Sequence, residues 1–78
     1  MAHLYILRLN DGTRYCGITN HVAKRIQDHQ KGKSKSTKKK LPVTLIFLLQ
    51  FADMKAARVL EKKIKMQGVS RWYLRHCR

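Results

Sequence analysis

Asn10-Asp11-Gly12-Thr13 joins two short apolar runs, Leu4-Tyr5-Ile6-Leu7 and Tyr15-Cys16-Gly17. Asp-Gly between β-rich runs is a strong short-range signal for a β-hairpin, because glycine supplies the positive φ that a tight reversal needs. The antiparallel ribbon this predicts is the frame on which the remaining chain has to pack. His3 to Leu9 is almost continuously apolar, which suits a strand covered on both faces. Arg14 to Ile18 reads as the return strand, with Asn20 placed to cap the next segment.

His21 to Lys31 reads as a helix. Val22 and Ile26 lie four apart on its apolar face, and Arg25 and His29 are stacked at the same spacing on a neighbouring face, with Gly32 as the stop. Lys31 to Lys40 (KGKSKSTKKK) holds six lysines and no apolar anchor, so a mobile loop is expected. Such a loop is either a solvated connection or a phosphate-tracking element that orders on binding. Pro42 confines Leu41 to extended conformations. Val43 to Phe51 is the most hydrophobic run of the chain and is predicted as a central strand, with a buried helix as the alternative. Asp53 can cap a second helix from about Met54 to Gln67, with Ala56, Ala57, Leu60 and Ile64 as its buried stripe and Gly68 as its end. Ser70 is placed to cap a last short helix whose Trp72, Tyr73 and Leu74 would close the core. The prediction is an α/β (α+β) fold in the order ββαβαα. Its three-stranded, largely antiparallel sheet is built from the hairpin and a central strand and flanked by helices. One domain is expected over residues 1–78, with its motif-bearing part at about 3–67.

Charge narrows the function. Eighteen Lys and Arg face four acids, a net +14 on 78 residues. That excess costs self-repulsion in the folded state and points to a polyanionic partner, nucleic acid first and a membrane surface second. A membrane binder would need an amphipathic helix with large exposed apolar residues, and none is legible. There is no apolar run long enough to span a bilayer. No secretory signal is visible, so a cytoplasmic setting is expected, with Cys16 and Cys77 as free thiols rather than a disulfide.

The four acids divide by context. Asp11 belongs to the turn, Asp53 to a helix cap, and Asp28 to a basic helix surface where an ion pair suffices. Glu61 is the only glutamate. It can pair with Lys65 at i,i+4, or it can serve as a carboxylate ligand for a hard divalent cation.

Taken together, Leu4-Tyr5-Ile6, Tyr15-Cys16-Gly17, Arg25 ten residues after Tyr15, His29 four beyond it and a single helix glutamate resemble the GIY-YIG nucleases. The match runs from about Leu4 to Ile64 and is nearest to small members that consist of the nuclease module alone. Of the naming motifs, only the Tyr and Gly positions are kept strictly. The resemblance implies phosphodiester hydrolysis in DNA with one Mg²⁺ or Mn²⁺. It would make Glu61 the metal ligand and Arg25 the clamp on the scissile phosphate, while Tyr5, Tyr15 or His29 orients the water and takes its proton. Gly17 would let the phosphate approach the backbone, and Lys31, Lys33, Lys35, Lys38, Lys39 and Lys40 would track the DNA. With no added recognition domain, structure-selective cutting, as in repair or recombination, is expected over sequence-specific cutting. The alternatives are a binding protein of the same fold that does not cleave or cleaves only with a partner, and a small RNA-associated protein.

A shared site imposes a register on the hairpin. A two-residue turn at Asp11-Gly12 would put the two tyrosines on opposite faces of the sheet. A three-residue loop, Asn10-Asp11-Gly12 with Gly12 left-handed, pairs Leu7 with Tyr15 and Tyr5 with Gly17, and both phenols then share a face.

Overall fold

The hairpin closes through the longer loop. In the computed structural model, which describes residues 1–77, the Leu9 N–H donates to the Thr13 carbonyl at 2.8 Å and Gly12 to that of Leu9 at 3.0 Å. Gly12 takes φ +85°, the left-handed conformation that glycine adopts without a Cβ penalty. Asp11 completes the turn by accepting from both the backbone N–H and the hydroxyl of Thr13.

The elements run β1 (Ala2–Arg8), β2 (Arg14–Thr19), α1 (Val22–Gln30), β3 (Thr44–Phe51), α2 (Met54–Gln67) and α3 (Val69–His76). The sheet is antiparallel throughout, in the order β2-β1-β3. The central strand is therefore β1, and the prediction that Val43 to Phe51 lies in the middle is corrected. β1 has a neighbour on each side and a layer on each face. Leu4, Ile6 and Leu7 are all 0% exposed, each worth roughly 1.5–3 kcal/mol relative to an exposed side chain. β3 has one hydrogen-bonded neighbour and a register shift opposite Ile6/Leu7. Its Leu45, Leu48 and Leu49 stay 40% or more exposed despite their hydrophobicity.

Alternation along β1 sorts the molecule into two cores. Leu4 and Ile6 point to one face, where they meet Cys16, Ile64 and Trp72 beneath α2 and α3. Tyr5, Leu7 and Leu9 point to the other, against Val43, Tyr15, Ile26 and Leu41. α1 covers this second face through Ile26.

Several local expectations are corrected at the helix ends. Asn20 does not cap α1; the N-cap is His21, and its N–H is held by the Thr19 hydroxyl at 3.1 Å. Asp53 does cap α2, accepting from the Ala56 N–H at 2.9 Å. Gly68, at φ +92°, ends α2 and starts α3 in a single step, so Ser70 falls inside α3 rather than before it. Of the predicted stripe, Ala57 and Ile64 are buried and Leu60 half-buried, but Ala56 faces solvent; in α3, Trp72 closes the core while Leu74 is exposed. Asp28 makes no ion pair among the described residues. Cys16 and Cys77 are free thiols. No described helix is long and apolar enough to cross a membrane.

Candidate active site

The hairpin register puts Tyr5 opposite Gly17 and Leu7 opposite Tyr15, so both phenols lie on the α1 face of the sheet with ring centroids 6.5 Å apart. α1 brings His29 onto them, 5.7 Å from the Tyr5 ring and 5.3 Å from that of Tyr15. Arg25, one turn earlier on the same helix, sits beside both phenols, which act on its guanidinium. Four of the five predicted core site residues thus converge on one face. The i,i+4 spacing on α1 and the period-two spacing on the hairpin are what aim them there.

The cluster is hydrogen-bonded and dry at its base. Tyr5 Oη and His29 Nε2 are 3.0 Å apart, and His29 Nδ1 lies 2.8 Å from the hydroxyl of Thr37. Tyr5 is 1% exposed and His29 and Thr37 are 0% exposed, whereas Tyr15 and Arg25 are half-buried. Burial, reinforced by the neighbouring Tyr15, pushes the Tyr5 phenol above its usual range although Arg25 opposes this. Burial and then the Arg25 charge push His29 below its usual value, against a weaker opposing effect of Asp28. Burial works to lower Arg25, but the hydrogen bonds and charges of the two phenols outweigh it and raise the guanidinium. The resting cluster is therefore a neutral imidazole, a neutral Tyr5 and a fixed cation.

Gly17 has a structural partner that the sequence did not indicate. A Cβ there would lie 2.5 Å from Tyr5 Oη and 2.6 Å from Tyr5 Cζ. The space in front of Gly17, expected to admit a phosphate, is filled by the phenol itself. Absence of a side chain at Gly17 is what lets Tyr5 lie flat and reach His29.

The lysine-rich loop carries its own hydrogen bonds and two buried polar side chains. Ser34 and Thr37 are buried, the Ser34 carbonyl accepts from Thr37 and Lys38, and Lys40 donates to the Thr37 carbonyl at 2.9 Å. The loop has no apolar anchor of its own, as expected, but buried polar side chains and backbone bonds hold it in their place. Lys31, Lys33, Lys35, Lys38 and Lys39 are exposed. Lys40 differs, since its ammonium pairs with Asp11 at 3.1 Å and its carbonyl accepts from Asn10 at 2.8 Å, tying loop to hairpin. Thr37 is the residue that sequence reasoning missed; its signal was a lone β-branched hydroxyl in a lysine run.

Glu61 stands apart. Its helix lies on the opposite face, packed most closely on β2, and its charge is felt at Cys16, whose thiol burial and Glu61 together raise to about 11. Glu61 pairs with Lys65 at 3.2 Å, as the i,i+4 spacing anticipated. It is not hydrogen-bonded into the tyrosine cluster. Cys16 lies between Tyr15 and Gly17 on edge strand β2, so glutamate and phenols flank the same short segment from its two faces. No group of three or more His, Cys, Asp or Glu able to hold a metal occurs among the described residues. A lone carboxylate suits Mg²⁺ or Mn²⁺ only where water and substrate phosphate complete the shell. Glu61, partly exposed at the sheet edge, meets that condition.

A small antiparallel sheet carrying two phenols, an arginine and a buried histidine on one face, beside a basic loop, defines a basic α+β module with a polar cluster on one sheet face. The chain belongs to the GIY-YIG family, a nuclease superfamily: the family model described as the GIY-YIG catalytic domain matches residues 1–73. It is 42% identical over 64 residues to a UPF0213 protein of Yersinia pestis (strain Pestoides F), covering 81% of this chain and 67% of that one. The same figures hold for a UPF0213 protein of Yersinia pseudotuberculosis serotype O:3 (strain YPIII). Among solved structures, it is similar to the solution NMR structure of a UPF0213 protein from Bacillus halodurans. The TM-score is 0.55 with 34% identity, over 85% of this chain and 72% of that one.

Proposed function

We propose that the protein is a metal-dependent DNA endonuclease that hydrolyses phosphodiester bonds, selecting substrates by DNA structure more than by sequence, in repair or recombination. The convergence of Tyr5, Tyr15, Arg25 and His29 on one sheet face carries this reading. Hydrolysis needs a water in line with the leaving oxygen, a proton acceptor for it, and positive charge on the non-bridging oxygens. Arg25 supplies that charge and, as a planar fork, can grip two phosphate oxygens. Tyr15, the more exposed phenol, orients the attacking water.

Tyr5 and His29 are both buried and, hydrogen-bonded to each other at 3.0 Å, support the site from beneath, so the half-buried Tyr15 and Arg25 are the groups that meet water and phosphate. Glu61 would hold Mg²⁺ or Mn²⁺, which when bound supplies Lewis-acid stabilisation of the leaving oxygen. Lys31, Lys33, Lys35, Lys38 and Lys39 contact the DNA backbone, which positions without reading sequence.

A second reading, a nucleic-acid-binding protein of this fold that does not cleave or needs a partner to do so, draws support from the Lys65 ammonium already on Glu61. Cleavage of duplex, nicked, flapped, branched and single-stranded DNA with Mg²⁺ or Mn²⁺ separates the two. Glu61→Ala is expected to abolish nicking and leave DNA affinity nearly intact. Native protein that cuts none of these substrates establishes the second reading.

A further inference from the structure

We propose that the outer edge of β3 is a self-pairing surface: two copies of the chain join β3 to β3 in one continuous antiparallel sheet. Thr44–Phe51 (TLIFLLQF) has a single strand neighbour, β1. In an antiparallel strand every second residue aims its N–H and C=O away from that neighbour. Among the described residues no backbone group of a turn or loop bonds to this outer row. Natural edge strands guard themselves with lysine, proline or short length. β3 has eight residues with neither a charge nor a proline, interrupted only by the register shift opposite Ile6/Leu7. The other edge, β2, is six residues long and carries Arg14. β3 also leaves leucines open on both faces of the sheet. Leu48, opposite Tyr5, is exposed on the α1 face, and Leu49, opposite Leu4, on the other.

Charge selects the occupant. A molecule of net +14 repels its own copies over most of its surface, and β3 is the one strand with no charged side chain. An acidic partner would be drawn to the lysine loop instead. Antiparallel pairing also crosses the strand ends, so Lys38 and Lys39, which precede β3 in one copy, approach Asp53, which follows it in the other. A two-fold axis normal to the sheet closes the pair and uses up both β3 edges. With the axis at Leu48, that leucine meets its own copy, and Phe47 meets Leu49 of the second copy. One strand pair of this length, roughly 26 Å, makes a contact at the small end of specific interfaces, about 1,200 Å² or less. The dimer is therefore weak and concentration-dependent. Because Leu48 lies opposite Tyr5, the axis sets the two Tyr5 residues in line, three strand spacings or roughly 14 Å apart. Both tyrosine faces then look to the same side. That two sites face one nucleic acid rests on the nuclease reading above; the pairing of β3 does not.

The test is sedimentation equilibrium of the native protein, Leu48→Lys, Leu48→Glu and Leu74→Lys, with thermal melts to confirm folding. The native mass is expected to rise with concentration from 9.2 kDa toward twice that value. It should rise further as salt screens the repulsion between copies, the reverse of the salt dependence of DNA binding. Each Leu48 variant alone sets like charges opposite one another and stays monomeric, while an equal mixture of the two associates. Leu74 is exposed on α3, and Leu74→Lys keeps the native association. Native protein that is monomeric at every concentration and salt overturns the proposal and leaves the edge to a strand of a different protein. A Leu48→Lys protein that dimerises like the native one, or a mixture that stays monomeric, overturns it too. Should the Leu48 variants fail to fold, amide NMR of the native protein decides: concentration-dependent shifts centred on residues 44–51 support the pairing, and shifts centred elsewhere overturn it. Should native protein not cleave DNA, the nuclease reading falls while these measurements stand.

Discussion

At the scale of single residues, the site is a set of mutually dependent fits. Gly17→Ala would drive a Cβ into the Tyr5 phenol at 2.5 Å. Overpacking of this kind costs about 1–3 kcal/mol, and each kcal/mol lowers the melting temperature of a domain this size by roughly 4–8 °C. Calorimetry or a thermal melt reads it directly, and an unchanged melting temperature would contradict the close approach. Tyr5→Phe keeps the ring but leaves buried His29 Nε2 without its hydrogen-bond partner. Urea unfolding should show a loss of about 1–3 kcal/mol. His29 also sets a pH dependence. Its folded pKa lies below the ordinary 6.5, so the unfolded chain binds more protons in that range. Stability is complete above the unfolded value and falls as pH drops below about 6.5 toward the folded one. Urea midpoints between pH 7 and pH 5 should fall in the native protein, and this part of the slope should vanish in His29→Gln.

At the scale of elements, the loop divides its lysines between two tasks. Lys31, Lys33, Lys35, Lys38 and Lys39 are exposed, but Lys40 is half-buried and held by Asp11. The Asp11 carboxyl is lowered to about 2, chiefly by its hydrogen bonds from Thr13 and then by Lys40, so the latch persists throughout the neutral range. Each of the five exposed lysines that neutralises a phosphate contributes about 0.9 to the slope of log affinity against log salt. Alanine at any of them should reduce that slope by about this amount in a fluorescence-anisotropy salt series. Lys40→Ala should leave it nearly unchanged. Equal effects at all six positions would show that Lys40 leaves Asp11 to bind DNA.

At the scale of the whole molecule, a net +14 on 78 residues is distributed over both faces of a sheet only three strands wide. The tyrosine cluster occupies one face and Glu61 approaches from the other, sharing edge strand β2. The Glu61–Lys65 pair is partly exposed, with side chains 17% and 51% accessible, and such pairs contribute only about 0–1 kcal/mol. Glu61→Gln should therefore fold and melt like the native protein while losing metal-dependent cleavage. A large drop in melting temperature would instead make the glutamate structural.

The sequence by itself determined the secondary elements, the turn and its register. Asn10-Asp11-Gly12, the alternation in Leu4 to Leu7 and the i,i+4 pair Arg25/His29 are local patterns, and local geometry dictates their outcome. The shared site that the motif residues imply selects the three-residue loop over the two-residue turn, and with it both phenols fall on the face that α1 covers; the same motif residues name the family. What the chain order could not give is which strand has neighbours on both sides. Hydrophobicity marked Val43–Phe51 as central, yet burial depends on what covers a strand, and among the described residues no strand pairs with the outer edge of β3. The partners of Gly17 and Thr37 were likewise hidden, because each is chosen by a residue distant in sequence: Tyr5 across the hairpin and His29 across a turn of loop. The opposite-face position of Glu61 follows from where α2 docks, a packing decision made by Ala57 and Ile64 rather than by the glutamate. Pattern is read along the chain, whereas coverage and close approach exist only once distant segments meet.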